Sequence, residues 1–122
     1  MKRLISFFEI PAIDFDRAVK FYEIILNVKL SVMECDTEKM AFFPEEEGVY
    51  PGAISFAETF KPTGGGVLIS LHIEDMDKTI RLIEDHKGKI LIPKTKILDD
   101  KRGFFCTFTD SEGNQIGLYS EK

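Results

Sequence analysis

The pattern of apolar and polar positions in the first half of the 122-residue chain recurs in the second half. The segment 14–23 (DFDRAVKFYE) returns as 75–84 (DMDKTIRLIE), 61 residues further on, with charge sign and apolar positions matching almost throughout. Apolar residues spaced three or four apart predict an amphipathic helix in each copy. Asp14 and Asp75 can each cap the first turn of such a helix with a side-chain oxygen. A repeat of this length indicates a duplicated fold.

Short β-forming stretches complete each half. We predict helices over 14–26 and from 75 to a C-cap at Gly88, and a crossover over 93–102. The Gly-rich segment 61–66 is predicted to be a flexible joint between the halves. It is not a phosphate-binding loop, because it lacks the Lys-Ser/Thr of that motif. The predicted strands are 4–10, 28–34, 39–43, 52–58, 67–73, 89–92, 103–109 and 115–120. We therefore expect a single α+β domain over 1–122. Two β-α-β-β-β modules, about 1–60 and 67–122, should be related by pseudo-twofold symmetry, with curved mixed sheets forming a cleft.

Alternation along the strands separates two faces. In the fifth strand the aliphatic face is expected under the helices, and it comprises Val67, Ile69, Leu71 and Ile73. The opposite, mixed faces of the first, fifth and last strands carry Phe7, Glu9, Leu68, Ser70, His72, Gln115, Gly117 and Tyr119. Their polar groups are costly to bury without partners, so these faces either line a cavity between curved sheets or are simply exposed to water. The apolar members Phe7, Leu68 and Tyr119 favour the cavity.

Charge and cysteine content exclude several classes of partner. The net charge is −5, and the basic residues are dispersed, which argues against a nucleic-acid surface and a polybasic membrane segment. Glu9, Pro11 and Asp14 interrupt the apolar start too early for a signal peptide or a spanning helix. Cys35 and Cys106 have no metal-ligand spacing, so we expect reduced thiols and a cytoplasmic location.

The paired modules resemble the vicinal oxygen chelate superfamily, which includes glyoxalase I, extradiol dioxygenases and bleomycin- or fosfomycin-resistance proteins. The resemblance is carried by the helix starts at Asp14 and Asp75 and by the closing segment 108–114 (FTDSEGN). The opening 8–11 (FEIP) and the Phe-Tyr pair at 21–22 are most similar to its small glyoxalase-like proteins. The resemblance implies a homodimer, because members of this superfamily usually dimerise.

In metal-using relatives, the first and last strands of the two modules supply four ligands. The resemblance maps these positions to Phe7, Leu68, Gly117 and a residue within two of Gly52. Phe, Leu and Gly side chains offer no oxygen, nitrogen or thiolate donor. We therefore expect neither the family metal nor another cofactor, and no glyoxalase I reaction of the kind in which a metal polarises the substrate.

Acid–base chemistry on the mixed face has two candidates. His72 can act as a base or hydrogen-bond partner, or it can be a structural histidine near a strand end. Glu9 can be a general base or a strand-end carboxylate paired with a lysine. Three functions stay open: binding of a small, partly apolar organic molecule, a glyoxalase-type lyase or isomerase that uses Glu9 and His72 or an atypical metal, and an interaction module with a vestigial cavity.

Overall fold

Two helices and two four-stranded sheets form the described part of the protein. The computed structural model describes residues 4–98 and 102–122, so the start of the first predicted module and part of the predicted crossover lie outside it. Each half has the order β-α-β-β-β, as the sequence repeat predicts. The elements are β1 Phe8–Pro11, α1 Phe15–Leu26, β2 Ser31–Glu34, β3 Glu38–Phe42, β4 Gly52–Ala57, β5 Ser70–His72, α2 Met76–Asp85, β6 Lys89–Lys96, β7 Phe104–Thr109 and β8 Gln115–Ser120.

The two sheets have equivalent topologies. Their strand orders are β1-β4-β3-β2 and β5-β8-β7-β6, and in each the first strand is parallel to the last while the other pairs are antiparallel. The helices also start alike. The Asp14 carboxylate accepts a hydrogen bond from the Arg17 N–H, and Asp75 accepts one from the Lys78 N–H, both at 3.1 Å. The α+β class with two equivalent modules is therefore confirmed.

One hydrophobic core joins the two modules within the chain. Both helices bury one side: α1 buries Phe15, Ala18, Phe21, Tyr22 and Ile25, and α2 buries Met76, Thr79 and Ile83. Ile54 of β4 and Leu118 of β8 lie in the same cluster, and both are fully buried. The rings of Phe21 and Phe108 lie 6.3 Å apart, centroid to centroid, across the module boundary. Neither described helix is both long and apolar enough to cross a bilayer.

The strands differ from the predicted ones mainly at their ends. β1 and β5 begin later than predicted, and Val67, expected under the helices, is 91% exposed, so that expectation is wrong. β6 is longer than predicted and continues through Pro93 to Lys96. The register of β6 against β7 shifts between Ile90 and Ile92 and again before Thr95. β6 is an edge strand, and edge strands with bulges can accommodate a proline, which lacks the N–H donor.

The predicted cap at Gly88 is also wrong. Lys87 adopts the left-handed conformation that ends α2, with φ of 77°, as Asn27 does after α1 with φ of 54°. Gly88 instead lies against the helix, where its N–H donates to the Ile83 carbonyl at 2.9 Å. A Cβ at this position would overlap the Ile83 side chain. Close packing, not left-handed geometry, therefore requires the glycine.

Candidate ligand-binding face

Strand register places Glu9 on the face of the first sheet that points away from the helices. Glu9 pairs with Ala53, and Ala53 pairs with Phe42, so these three form one row across β1, β4 and β3. Residues paired directly across strands share a face. The neighbours Ile10 and Ile54, which pair with each other, point the opposite way into the core.

The second sheet has an equivalent row. Ser70 pairs with Gly117, and Gly117 pairs with Thr107. Gly117 is buried because Ser70 packs directly over it, so a Cβ there would overlap the Ser70 hydroxyl. In the next row, the rings of His72 and Tyr119 lie 5.6 Å apart at an angle of 38°. Register thus places the candidates of β5 and β8 on one face, whereas Leu68 lies before β5 and is 50% exposed.

Glu9 contacts a serine rather than a lysine. The Ser55 hydroxyl donates to Glu9 Oε1 at 2.7 Å, and Ser55 is buried while Glu9 is exposed. No Lys or Arg of the described residues lies within ion-pair distance of Glu9. The expected alternative of a strand-end carboxylate paired with a lysine is therefore not what the structure contains. Ser55 was missed because its place beside Glu9, one same-face position beyond Ala53 on β4, depends on the register of β1 and β4.

Four of the eight candidates line two different depressions. Glu9 and Gln115, from different modules, line one of about 420 Å³ together with Lys61 and Thr63 of the segment that joins the halves. Ser70 and His72 lie at a second cleft of about 710 Å³, which also contacts the core-facing residues Leu71, Phe8 and Leu82. Glu9 and Gln115 thus lie at a different depression from Ser70 and His72.

Aromatic residues that sequence reasoning left out surround Phe7. The Phe7 and Phe42 rings lie 6.0 Å apart, and Phe42 lies 5.2 Å from Tyr50, in both cases with tilted planes. Phe7 is 36% exposed and Tyr50 39% exposed. The alternation of strand 39–43 was the available signal, because it separates Met40 and Phe42 from the buried Ala41 and Phe43.

A buried polar cluster at the turn between β7 and β8 fixes the second module to the start of α1. The Glu112 carboxylate accepts hydrogen bonds from the N–H groups of Ile13 and Asp14 at 2.8 and 2.7 Å. It also accepts two from the Arg17 guanidinium, at 2.7 and 3.1 Å. Burial alone would raise the pKa of Glu112. The hydrogen bonds from Arg17, from the Asp14 N–H and from Ser111 outweigh that effect, and the pKa is lowered.

Asp110 makes the second contact of this cluster. Its carboxylate accepts from the Tyr22 hydroxyl at 2.6 Å and from the N–H groups of Glu112 and Asn114, each at 2.9 Å. Burial raises the pKa of Tyr22 well above its ordinary value, and the negative charge of Asp110 raises it further. The role of the cluster is structural, because it holds two distant chain segments together.

Comparison with known proteins identifies the family of this chain. The profile of the Glyoxalase/Bleomycin resistance protein/Dioxygenase superfamily matches residues 4–118. The chain belongs to this superfamily. A search of curated proteins found no match.

Solved structures of the superfamily share its fold with this chain. A glyoxylase/bleomycin resistance protein/dioxygenase domain from Frankia sp. EAN1pec superposes with a TM-score of 0.75 at 16% identity, over 100% of both chains. Glyoxalase I from Zea mays gives 0.73 at 16% identity over 95% of this chain but 45% of its own, so this chain spans less than half of that protein. The trypanothione-dependent glyoxalase I of Leishmania major gives 0.69 at 22%, over 98% of this chain and 88% of its own. At these identities the likeness shows the fold alone.

The residues that the resemblance maps to the superfamily's metal positions do not fit a divalent cation, because the side chains of Phe7, Leu68 and Gly117 carry no donor atom. The hydrogen bonds from Ala12 N–H to the Ser55 carbonyl and from Ile73 N–H to the Tyr119 carbonyl, both 2.9 Å, are equivalent in the two modules. These bonds make Ser55 equivalent to Tyr119. Two residues earlier in each strand, Ala53 is therefore equivalent to Gly117, and it lies one residue from the predicted Gly52. Ala53 has no donor either. Within 4–98 and 102–122, no three His, Cys, Asp or Glu side chains are grouped so that they could hold a metal.

Proposed function

We propose that this member of the superfamily binds a small, partly apolar organic molecule against the helix-free faces of its sheets. The observation that carries the proposal is the row Glu9–Ala53–Phe42, in which a carboxylate and an aromatic ring flank a residue with almost no side chain. The equivalent row in the second module has Gly117 at its centre. Small-molecule sites combine mostly apolar walls with a few directed polar groups, and these faces have that composition.

Binding in this proposal does not need the superfamily's metal. The resemblance maps three of the four ligand positions to Phe7, Leu68 and Gly117 and the fourth to a residue within two of Gly52, for which the equivalence of the modules favours Ala53; the side chains of these four have no atom that coordinates a cation. The ligand is instead held by hydrogen bonds and apolar contacts. Glu9 and Gln115 are the polar groups placed to orient it, because they line one depression from two modules.

A glyoxalase-type lyase or isomerase that works by acid–base chemistry is the second candidate. The observation in its favour is Glu9, whose carboxylate is positioned by the Ser55 hydroxyl and is not neutralised by a described cation. A base of this kind removes a proton from a carbon next to a carbonyl group when it lies within hydrogen-bond reach of it. His72 lies in the other module, at the second cleft, and is the candidate acid only if substrate spans both.

Screening by nuclear magnetic resonance tests the binding proposal. We expect some members of a library of small aromatic and aliphatic compounds to shift the backbone amide signals of Glu9, Phe42 and Gln115, and chelator-treated protein to bind them equally well. Gln115→Ala should weaken binding by roughly 1–3 kcal/mol if its amide makes a buried hydrogen bond to the ligand.

Glu121→Ala, an exposed change after β8, serves as the control and should leave binding unchanged. The proposal is wrong if no compound shifts these amides or if binding needs added metal. Turnover of a bound compound that Glu9→Gln abolishes would favour the lyase or isomerase instead.

We further propose a homodimer. Each module begins with exposed apolar residues before its first strand, and these strands are at sheet edges. Leu4 and Ile5 are 97% and 64% exposed, and Val67 and Leu68 are 91% and 50% exposed. A second copy of the chain would remove this surface from water, and closed symmetric dimers are the commonest oligomers.

Analytical ultracentrifugation at micromolar concentration should give twice the chain mass of 13.9 kDa. Val67→Asp should shift the equilibrium towards monomer, whereas Leu98→Asp, at a residue that is 86% exposed elsewhere, should not. A mass of 13.9 kDa for the unchanged protein, or equal effects of the two variants, would contradict the dimer.

A cytoplasmic location also stays a proposal. Both cysteines are free thiols, with Cys35 exposed and Cys106 buried. Burial raises the pKa of the Cys106 thiol to about 11, which keeps it protonated and inert. Unpaired thiols fit a reducing compartment.

A further inference from the structure

The second carboxylate oxygen of Glu9 lacks a partner. Oε1 accepts the hydrogen bond from Ser55 at 2.7 Å, which fixes the orientation of the group. Oε2 has no hydrogen-bond or ion-pair partner within residues 4–98 and 102–122. A carboxylate held in one orientation with one oxygen available is suited to accept a charge-assisted hydrogen bond from a cation.

Aromatic surface lies on the same side of the sheet as this carboxylate. Phe7 precedes Glu9 by two residues, and its ring contacts Phe42, which lies in the row of Glu9. Tyr50 extends the group beyond Phe42. The ring planes are inclined by 51° and 44° rather than stacked in parallel, and Phe7 and Tyr50 keep more than a third of their surface exposed. The faces of such rings attract organic cations.

The spacing of the row gives the size of a ligand that could use both features. Glu9 and Phe42 are separated by one strand, so their Cα atoms lie about 10 Å apart at a strand spacing of about 4.8 Å. Ala53 between them is fully buried, so the space open to a ligand lies beside Glu9, above the exposed parts of Phe7 and Tyr50, and not directly on Ala53. In the next row, Ser55 pairs with Met40 and Met40 with Met33, so polarisable thioethers adjoin this space.

Charges around the face favour a cation over an anion. The chain has a net charge of −5, and the exposed loop before Tyr50 carries Glu45, Glu46 and Glu47. Lys61 lines the depression beside Glu9, but its ammonium lies over the Phe56 ring, 5.3 Å from the centroid, and not on the carboxylate.

We propose that the ligand of this face is an organic cation, an ammonium or amidinium group joined to a short apolar or aromatic part. The charged group binds Glu9 Oε2, and the apolar part lies against the exposed surface of Phe7 and its neighbour Phe42. This inference rests on the proposed small-molecule binding, of which it names the ligand class.

Three probes of similar size test it: phenethylammonium, 2-phenylethanol and phenylacetate. Titration of isotope-labelled protein at low salt should show the ammonium binding roughly tenfold more tightly than the alcohol. The reason is that the Glu9 carboxylate accepts its hydrogen bond from a charged ammonium in one case and from a neutral hydroxyl in the other. Phenylacetate should bind more weakly than either. Added salt should reduce the preference.

Variants separate the local carboxylate from overall charge. Glu9→Gln should remove the preference for the ammonium, whereas Glu84→Gln, which removes one exposed negative charge from α2, should retain it. Phe7→Leu should weaken binding of the ammonium several-fold more than binding of the alcohol, because the change removes the ring face but keeps an apolar contact. Circular dichroism of each variant checks that the fold is kept.

The outcomes distinguish this inference from the function on which it rests. If the alcohol binds these amides as tightly as the ammonium, or if Glu84→Gln acts like Glu9→Gln, the cation inference is overturned while small-molecule binding stands. If other compounds bind the face but none of the three probes does, the inference is likewise overturned. If no compound of any charge binds there, both fail.

Discussion

Replacing Glu112 by alanine should lower the free energy of unfolding by about 3–5 kcal/mol, the range found when one partner of a buried ion pair is removed. The Glu112 side chain is 0% exposed and accepts from two backbone N–H groups and from Arg17. Arg17 is 41% exposed, so its guanidinium can regain water after the change. The loss therefore arises mainly from the N–H groups at the start of α1, which keep no acceptor.

Urea unfolding measures this effect, and Glu121→Ala, at an exposed residue, should change stability by less than about 0.5 kcal/mol.

The effect of Glu112→Ala on stability should depend on pH in one direction. Because the folded pKa of Glu112 lies below its ordinary value of 4.5, its contribution is fully present above pH 4.5 and is lost as pH falls through the folded pKa. The difference in free energy of unfolding between the unchanged protein and Glu112→Ala should thus become smaller in acid. A gap that stays constant from neutral to strongly acidic pH would show that the carboxylate charge does not contribute.

The role of Glu112 could not be predicted from the sequence, although the residue lies in the segment 108–114 that carries the family resemblance. The hydrogen bond from the Ile13 N–H joins residues 99 positions apart, and no local pattern encodes such a contact. The caps at Asp14 and Asp75 were predictable for the opposite reason, because each contact spans three residues. The repeat then gave the module order, since equivalent helices require equivalent strands around them.

The candidate face was predicted in composition but not in arrangement. Alternation with period two puts Glu9 and Phe7 on one face without knowledge of neighbouring strands. Register decides what lies beside them, and register is a property of pairs of strands. Ser55 and Phe42 were therefore found only in the structure, as were the two separate depressions in place of one cavity.

Strand ends were the least predictable feature of the fold. The segment 67–73 has β-forming residues throughout, but only Ser70–His72 pairs with β8. A strand needs a partner for its backbone groups; the Ile69 carbonyl still accepts from the Gly117 N–H at 2.8 Å, whereas Val67 and Leu68 lie outside the pairing with β8. The same holds for residues 4–7 ahead of β1, which begins where pairing with β4 begins. The sequence pattern thus predicted that the aliphatic face of 67–73 is buried throughout, whereas in the structure exposure falls along it from 91% at Val67 to 8% at Ile73.

A series of truncations along this face should follow that gradient. Leu118→Ala, at a fully buried residue of the shared core, should lower the free energy of unfolding by about 2–5 kcal/mol, from lost transfer free energy and the cavity that remains. Leu71 pairs with Leu118 but is half-buried, so Leu71→Ala should cost less. Val67→Ala should stay within about 0.5 kcal/mol because that side chain is 91% exposed.

Chemical unfolding at a protein concentration low enough to favour monomer separates this series from any effect of self-association. The proposed dimer would bury Val67, so its truncation should become costly only as protein concentration rises, by mass action. Leu118→Ala should cost the same at every concentration, since its contacts lie within one chain. A large loss at Val67 that does not vary with concentration would instead mean that the residues before β5 pack under the helices, as alternation alone predicts.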